Sequence, residues 1–170
     1  PREMHPNELF PEAKSVIVGA SRILKGSYKG IQEGTDWSAY WVYGYGNGIY
    51  SAMGNAHDAV SNLLEDHGYE AVTSPGCQTL LDEAPPPRPP LGKDRLPPSI
   101  TLHMRVSAAL AGLGELGWSK VFLTPQFGPR QRFEIIVTDA ELEPDPLLET
   151  PICDKCMACI RACPGSALGG

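Results

Sequence analysis

Four cysteines stand within eleven residues, Cys153, Cys156, Cys159 and Cys163, in the stretch ICDKCMACIRACPGSAL. Their spacing is C-x2-C-x2-C-x3-C with Pro164 following, the run that holds four-iron cubes in bacterial iron–sulfur proteins. Steps of two residues let consecutive thiolates wrap one cube while backbone N–H groups point at its sulfurs. The fourth cysteine lies a helical turn further on and faces away, toward a second cube. Disulfide bridging between such close neighbours has poor geometry, and zinc sites generally use two separated Cys pairs. Iron–sulfur ligation is the favoured chemistry. It leaves a deficit: Cys153, Cys156 and Cys159 supply three ligands to one cube, and Cys163 supplies one to another. The remaining ligands are expected from sequence after residue 170 or from a partner chain. The lone Cys77, after the turn Ser74-Pro75-Gly76, is a further candidate, although a single Cys more often packs as a small side chain.

The elements that must position this run read as alternating strands and helices. Ser15–Ser21 is a β-branched apolar run that reads as a buried strand. Met53, Ala56, Val60, Leu63 and Leu64 recur at helical steps over Ser51–His67, with Gly68 as the stop, and Tyr69–Val72 follows as a short strand. His57 and His67 read as surface or capping histidines. Residues 84–98 carry seven prolines in fifteen positions and form an extended connector. Thr101–Ala111 is the next helix, with Leu102, Val106, Ala109 and Leu110 expected on its apolar face. Gly112, Gly114 and Gly117 then punctuate a turn, Val121–Leu123 is apolar, and Phe133–Thr138 reads as a strand before an acidic loop. The glycine triplet follows a helix and precedes a strand, the reverse of a dinucleotide loop, so a Rossmann reading fails on context. Between Gly26 and Tyr50 lies an aromatic stretch. Trp37, Tyr40, Trp41, Tyr43, Tyr45 and Tyr50 are either a loop packed on the core or a platform for a flat ligand. Gly44, Gly46 and Gly48 would admit close backbone approach to such a ligand.

Length and composition suit one folded unit: 170 residues, 42% hydrophobic, with 20 acidic against 14 basic side chains and a formal charge of −6. No apolar run reaches the roughly 18–20 residues of a membrane helix. The acidic balance and the lack of Lys/Arg clusters argue against a dedicated nucleic-acid binder. Arg130 and Arg132 make only a small basic point, read as loop ion-pair partners. The chain starts at Pro1 without an initiator Met and stops at Gly170 soon after a motif that normally has more chain behind it. It is therefore expected to be part of something larger. No signal peptide is visible in it.

The order of the parts resembles one superfamily. An AGLGELG turn, then LTPQFGPRQRF, a strand ending in TD, an acidic ELEPDP loop and CDKCMACIRACPGSAL are similar to the epoxyqueuosine reductase and corrinoid-dependent reductive dehalogenase group. The likeness is detailed over Ala111–Leu168 and weaker before, including the VSNLLEDHGYEAV unit. The resemblance implies an α+β fold. Residues 1–148 would form a nitroreductase-like, corrinoid-binding (cobalamin-binding) domain, and residues 149–170 the first half of a ferredoxin-like domain that carries two 4Fe-4S clusters in the complete protein. By resemblance, Cys153, Cys156 and Cys159 bind the corrinoid-proximal cluster and Cys163 the other. Gly112, Leu113, Gly114, Glu115, Leu116 and Gly117, with Leu123, Thr124 and Pro125, line the corrinoid. The forms GELG and TPQFGPR lean toward the dehalogenase side. The queuosine enzymes place an acidic proton donor before the helix that precedes this turn; the corresponding place here is near Pro98, with Asp94 four residues earlier.

The resulting expectation is an oxidoreductase that passes electrons from its clusters to a cobalt corrinoid for reductive bond cleavage in a small-molecule substrate. Tyr43 and Tyr45 are the candidate proton donors. The electron donor would be a ferredoxin or flavodoxin. The alternative is an electron-transfer subunit of a larger redox complex without corrinoid, and tRNA epoxyqueuosine reduction is the least favoured reading. Iron–sulfur thiolates without a disulfide pattern suit the cytoplasm. Export with a removed twin-arginine signal is the alternative.

Overall fold

The computed structural model describes residues 5–73 and 102–168. Short turns open the chain: α1 (Pro6–Leu9) delivers Phe10 to the core before β1 (Ser15–Arg22) begins. A 3-10 turn at Lys25–Tyr28 leads to α2 (Lys29–Glu33), α3 (Ser38–Tyr40) and a wide π-helical turn at Trp41–Tyr45. Helix α4 (Asn47–Asp66) runs into β2 (Ala71–Thr73). After the segment that includes the proline-rich connector, which lies outside the described residues, come α5 (Met104–Leu110), β3 (Glu115–Leu116), β4 (Phe122–Leu123), β5 (Gln131–Thr138) and α6 (Ala158–Arg161).

β5 is the centre of the molecule. β1 pairs antiparallel along its whole length, Ser15 opposite Thr138 and Arg22 opposite Gln131. β2 pairs antiparallel with its other edge, giving the order β1-β5-β2. Side chains alternate across a strand, and here the two sets meet different partners. Phe133, Ile135 and Val137 pack with Phe10, Leu102, Ala108 and Phe122, toward α5. On the other face, α4 crosses the sheet, and the Nε2 of its His57 lies 3.1 Å from the Ile135 carbonyl oxygen. With both faces covered, β5 is buried almost continuously, Ile135, Ile136 and Val137 most completely.

The expected elements are present with shifted bounds and some rotated faces. β1 is half-buried rather than buried, because it is an edge strand with Gly19 and Ala20 exposed. α4 starts at Asn47, four residues early, and its buried side is Ile49, Met53 and Ser61. Leu63, expected inside, is 57% exposed. His57 occupies the inward stripe that Ala56 was expected to share. His67 does cap α4: its Nδ1 lies 2.8 Å from the Leu63 carbonyl oxygen, and Gly68 follows with φ of 85°. On α5, Ala108 is the fully buried residue, whereas Val106 and Leu110 are exposed. On this seven-residue helix the Ala108 methyl packs against the Phe122–Phe133 edge-to-face pair.

Candidate metal centre

The β3–β4 hairpin is built on two glycines whose missing side chains are filled by backbone. A Cβ on Gly114 would stand 1.9 Å from the Leu123 carbonyl oxygen. At Gly112, which has φ of 74°, a Cβ would stand 2.2 Å from the Pro146 carbonyl oxygen. These glycines let β4 and the acidic loop close onto the turn. In the register, Glu115 faces Leu123 and Leu116 faces Phe122. Thr124 and Gln131 are buried behind the hairpin, where the Gln131 amide nitrogen donates to the Phe122 carbonyl at 2.9 Å. Leu113 packs on the Ala108–Phe122–Phe133 cluster, Leu116 is exposed, and Pro125 begins the turn closed by the Thr124–Gly128 bridge.

The cysteine run docks on that hairpin. Glu115 Oε1 accepts the backbone N–H of Ile152 at 2.6 Å and of Cys153 at 2.5 Å. The Trp118 N–H donates to Cys153 Sγ at 3.4 Å. From Cys153 the loop reverses twice through left-handed residues, Lys155 (φ 57°) and Met157 (φ 60°), on either side of Cys156. That backbone costs a residue with a Cβ roughly 1–2 kcal/mol. Local bonds hold it: Asp154 Oδ1 accepts the Cys156 N–H at 3.0 Å, and Arg161 Nη1 donates to the Cys156 carbonyl at 3.0 Å. Cys159 lies on α6. Cys163 follows that helix, its Sγ accepting the Ala167 N–H at 3.4 Å. Backbone N–H groups of Ala167 and Gly165 hold the Cys163 thiol below its ordinary pKa, favouring thiolate. All four thiols are free. Among the described residues no three His, Cys, Asp or Glu side chains converge on a single-ion site. Four thiols on a twice-reversed loop, two with sulfur already accepting N–H, are a donor set suited to an iron–sulfur group. Cys77, Asp94 and Pro98 lie outside the described residues.

The aromatic stretch sits on the α4 side of β5. Rings of Trp37, Trp41 and Tyr45 follow one another at 5.6 Å spacings, and all three are more than half exposed, as is Tyr43. The close approaches at Gly44 and Gly46 are internal, to the Tyr40 ring and the Trp41 carbonyl oxygen. Arg132 was read as an ion-pair partner in a loop; it is instead on β5, with its guanidinium 5.7 Å from the Tyr45 ring centre and Nη2 donating to Tyr40 Oη at 3.3 Å. Arg130 likewise lies over the Tyr28 ring at 5.4 Å. Sequence reasoning missed Arg132 and Tyr40 as a pair. The signal for it was the strand alternation that turns Arg132 to the face opposite Gln131.

No family model matches this chain. In sequence it is similar to tetrachloroethene reductive dehalogenases. Identity is 41% over 82 residues with that of Desulfitobacterium hafniense, covering 46% of this chain and 14% of that protein. It is 41% over 64 residues with that of Dehalobacter restrictus, covering 36% and 12%. Against that of Sulfurospirillum multivorans it is 36% over 64 residues, covering 36% and 13%. In fold the chain is similar to epoxyqueuosine reductases. The Bacillus subtilis enzyme superposes with a TM-score of 0.66 at 19% identity, covering 98% of this chain and 39% of that one. The Streptococcus thermophilus enzyme gives 0.66 at 17%, covering 96% and 39%. An epoxyqueuosine reductase with a tRNA stem loop gives 0.63 at 20%, covering 96% and 38%. Both branches of the expected superfamily are thus found, dehalogenases by sequence and epoxyqueuosine reductases by a mixed helix-and-strand fold. The matched stretches span only 12–14% of the length of these dehalogenases. No described helix is long and apolar enough to cross a membrane.

Proposed function

We propose that this chain is part of a reductive dehalogenase-like oxidoreductase in which residues 1–148 form a nitroreductase-like, corrinoid-binding unit and residues 149–170 begin a ferredoxin-like unit. One observation carries the reading. The first cysteine of the run is bonded by Glu115 and Trp118 to the glycine turn that the resemblance assigns to the corrinoid. A cluster held there stands beside that turn, as an electron donor to it must.

In this reading Cys153, Cys156 and Cys159 hold the nearer 4Fe-4S cluster, and Cys163 contributes to the second. When bound, the clusters supply single electrons and the corrinoid a low-potential metal for reductive cleavage of a carbon–halogen bond. The net change consumes two electrons and one proton and releases halide. The chain's own share is placement and proton supply. Gly112 and Gly114 fix the hairpin, and by resemblance it would present Leu113, Leu116, Gly117, Leu123, Thr124 and Pro125 to the corrinoid. Tyr45, under the Arg132 guanidinium, and Tyr43, two residues before it, are the candidate proton donors. The substrate is a small molecule, and a ferredoxin or flavodoxin is the donor of electrons. The chain works in the cytoplasm or, in the exported alternative, outside it.

The test is anaerobic iron and cobalt analysis of the full-length protein. About one cobalt per chain with several irons supports the reductase. Iron without cobalt, even after cobalamin is supplied, replaces it with an electron-transfer subunit. Neither metal removes both. tRNA reduction ranks below these on the −6 charge, although one fold neighbour is bound to a tRNA stem loop.

A further inference from the structure

We infer that Glu115 is a positioning residue for Cys153 that also biases the nearer cluster toward a low potential, an inference that rests on the cluster reading above. Its carboxylate is held by a stiff support. Glu115 sits in register with Leu123, the hairpin is closed beside it by the Gly117 N–H donating to the Val121 carbonyl at 2.9 Å, and Gly114 admits no side chain. From there one oxygen accepts two consecutive N–H groups, those of Ile152 and Cys153. Bonds to an ionised acceptor are about twice as strong as neutral ones. Two of them from a fixed point set both the position and the direction of the chain entering the cysteine run. The Trp118 N–H, three residues along the same turn, fixes the Cys153 sulfur. One short turn therefore grips this cysteine by its backbone and by its side chain.

The arrangement has an electronic side. A cluster's potential depends on net charge nearby and on N–H groups donated to its sulfurs. The Cys153 N–H is directed to a carboxylate rather than toward the sulfurs. Among the described residues, the only ion pair is Lys29–Glu33, so no cationic side chain bonds the Glu115 carboxylate; the Arg161 guanidinium is held on the Cys156 carbonyl instead. Both effects favour the oxidised cluster, so electrons placed on it leave readily. The carboxylate is turned to the cysteine loop, which gives Glu115 a different duty from the corrinoid wall suggested by its place in the glycine turn.

Two variants of the full-length protein separate the parts. Glu115→Ala removes the acceptor. In the cluster-free protein, amide exchange at residues 152 and 153 should quicken roughly tenfold to a hundredfold while the core strand 131–138 keeps its protection. Unchanged exchange overturns the positioning role. Glu115→Gln keeps the shape and an acceptor oxygen but loses the charge. After anaerobic reconstitution, the midpoint potential of one cluster, followed by electron paramagnetic resonance, should rise, and Glu115→Asp should bring it back toward wild type. A Gln variant with wild-type potentials overturns the electronic role. If the wild type itself takes up no iron, the cluster reading fails and takes the electronic role with it, whereas the exchange result still decides the positioning role.

Discussion

A glycine-to-alanine series tests whether the hairpin that receives the cysteine loop is set by contact, by backbone conformation, or by both. Gly114→Ala is a contact-only change: its φ is ordinary, but the new Cβ would meet the Leu123 carbonyl oxygen at 1.9 Å. Backbone meets backbone there, so β3 and β4 must part, at about 1–3 kcal/mol or more. Gly128→Ala is conformation-only, with φ of 56° and open space around the Cβ, and should cost about 1–2 kcal/mol. Gly112→Ala combines a φ of 74° with a 2.2 Å contact to the Pro146 carbonyl oxygen, so the costs add to about 2–5 kcal/mol. Gly19→Ala, in β1 with nothing near its Cβ, should be neutral or stabilising by up to about 1 kcal/mol. At roughly 2–4 °C per kcal/mol for a chain of this size, thermal melts should rank Gly19 above wild type, then Gly128, Gly114 and Gly112. Exchange at residues 152 and 153 should quicken in the Gly114 and Gly112 variants and not in the Gly128 variant. A Gly114→Ala protein with wild-type melting and a protected cysteine loop would falsify the argument that these glycines exist to seat backbone on backbone.

Three further outcomes follow from particular side chains. Burial pushes the Glu134 carboxyl above its ordinary range, with His57 opposing and Asp58 adding to the rise. The folded state therefore holds that proton more tightly than the unfolded one, and stability falls as pH climbs through the usual Glu range, about 4.3. Glu134→Gln should melt higher than wild type at pH 7 to 8 and lose that advantage by pH 4; an equal gain at both pH values contradicts the burial argument. Tyr45→Phe keeps the ring beneath Arg132 and removes the hydroxyl, so turnover by the full-length enzyme should fall by roughly 10²–10⁴-fold with melting unchanged, if Tyr45 rather than Tyr43 gives the proton. The same change at Tyr43 makes the complementary case, and normal turnover in both removes the pair from the mechanism. Cys153→Ala and Cys163→Ala should each abolish a different cluster signal in electron paramagnetic resonance spectra; loss of the same signal in both would show that one cube uses both cysteines.

The cysteine run was readable as a loop because its information is local. Four cysteines and a proline at fixed steps specify a loop whatever surrounds it, and the folded loop adds the left-handed residues Lys155 and Met157. The strand at Phe133–Thr138 was readable for a similar reason, Ile135, Ile136 and Val137 being a local β-branched signal. What joins these parts was not readable. Glu115 and Cys153 are 38 residues apart, and no periodicity in the sequence relates a short hairpin to a loop that folds back on it. The wrong face of α5 has a different origin. Helical spacing weighted the large side chains Val106 and Leu110, whereas the residue packed on Phe122 and Phe133 is a small one, Ala108. The aromatic stretch was read as a loop packed on the core or a platform for a flat ligand, not as a helical column: Trp37, Trp41 and Tyr45 meet in file because each is four residues from the last.

The two-faced central strand also constrains how this chain can diverge. Arg132 reaches the tyrosines on one side of β5, while its neighbour Gln131 braces the Phe122 carbonyl on the other. Adding one residue between Arg132 and Phe133 would move both to the opposite face, putting a guanidinium into the space behind the hairpin and an amide on the side of the aromatic rings. Point changes along β5 can be absorbed one at a time; a change of length cannot. Homologous chains should therefore vary freely in the length of their surface loops while this strand and the turn before it keep a constant residue count.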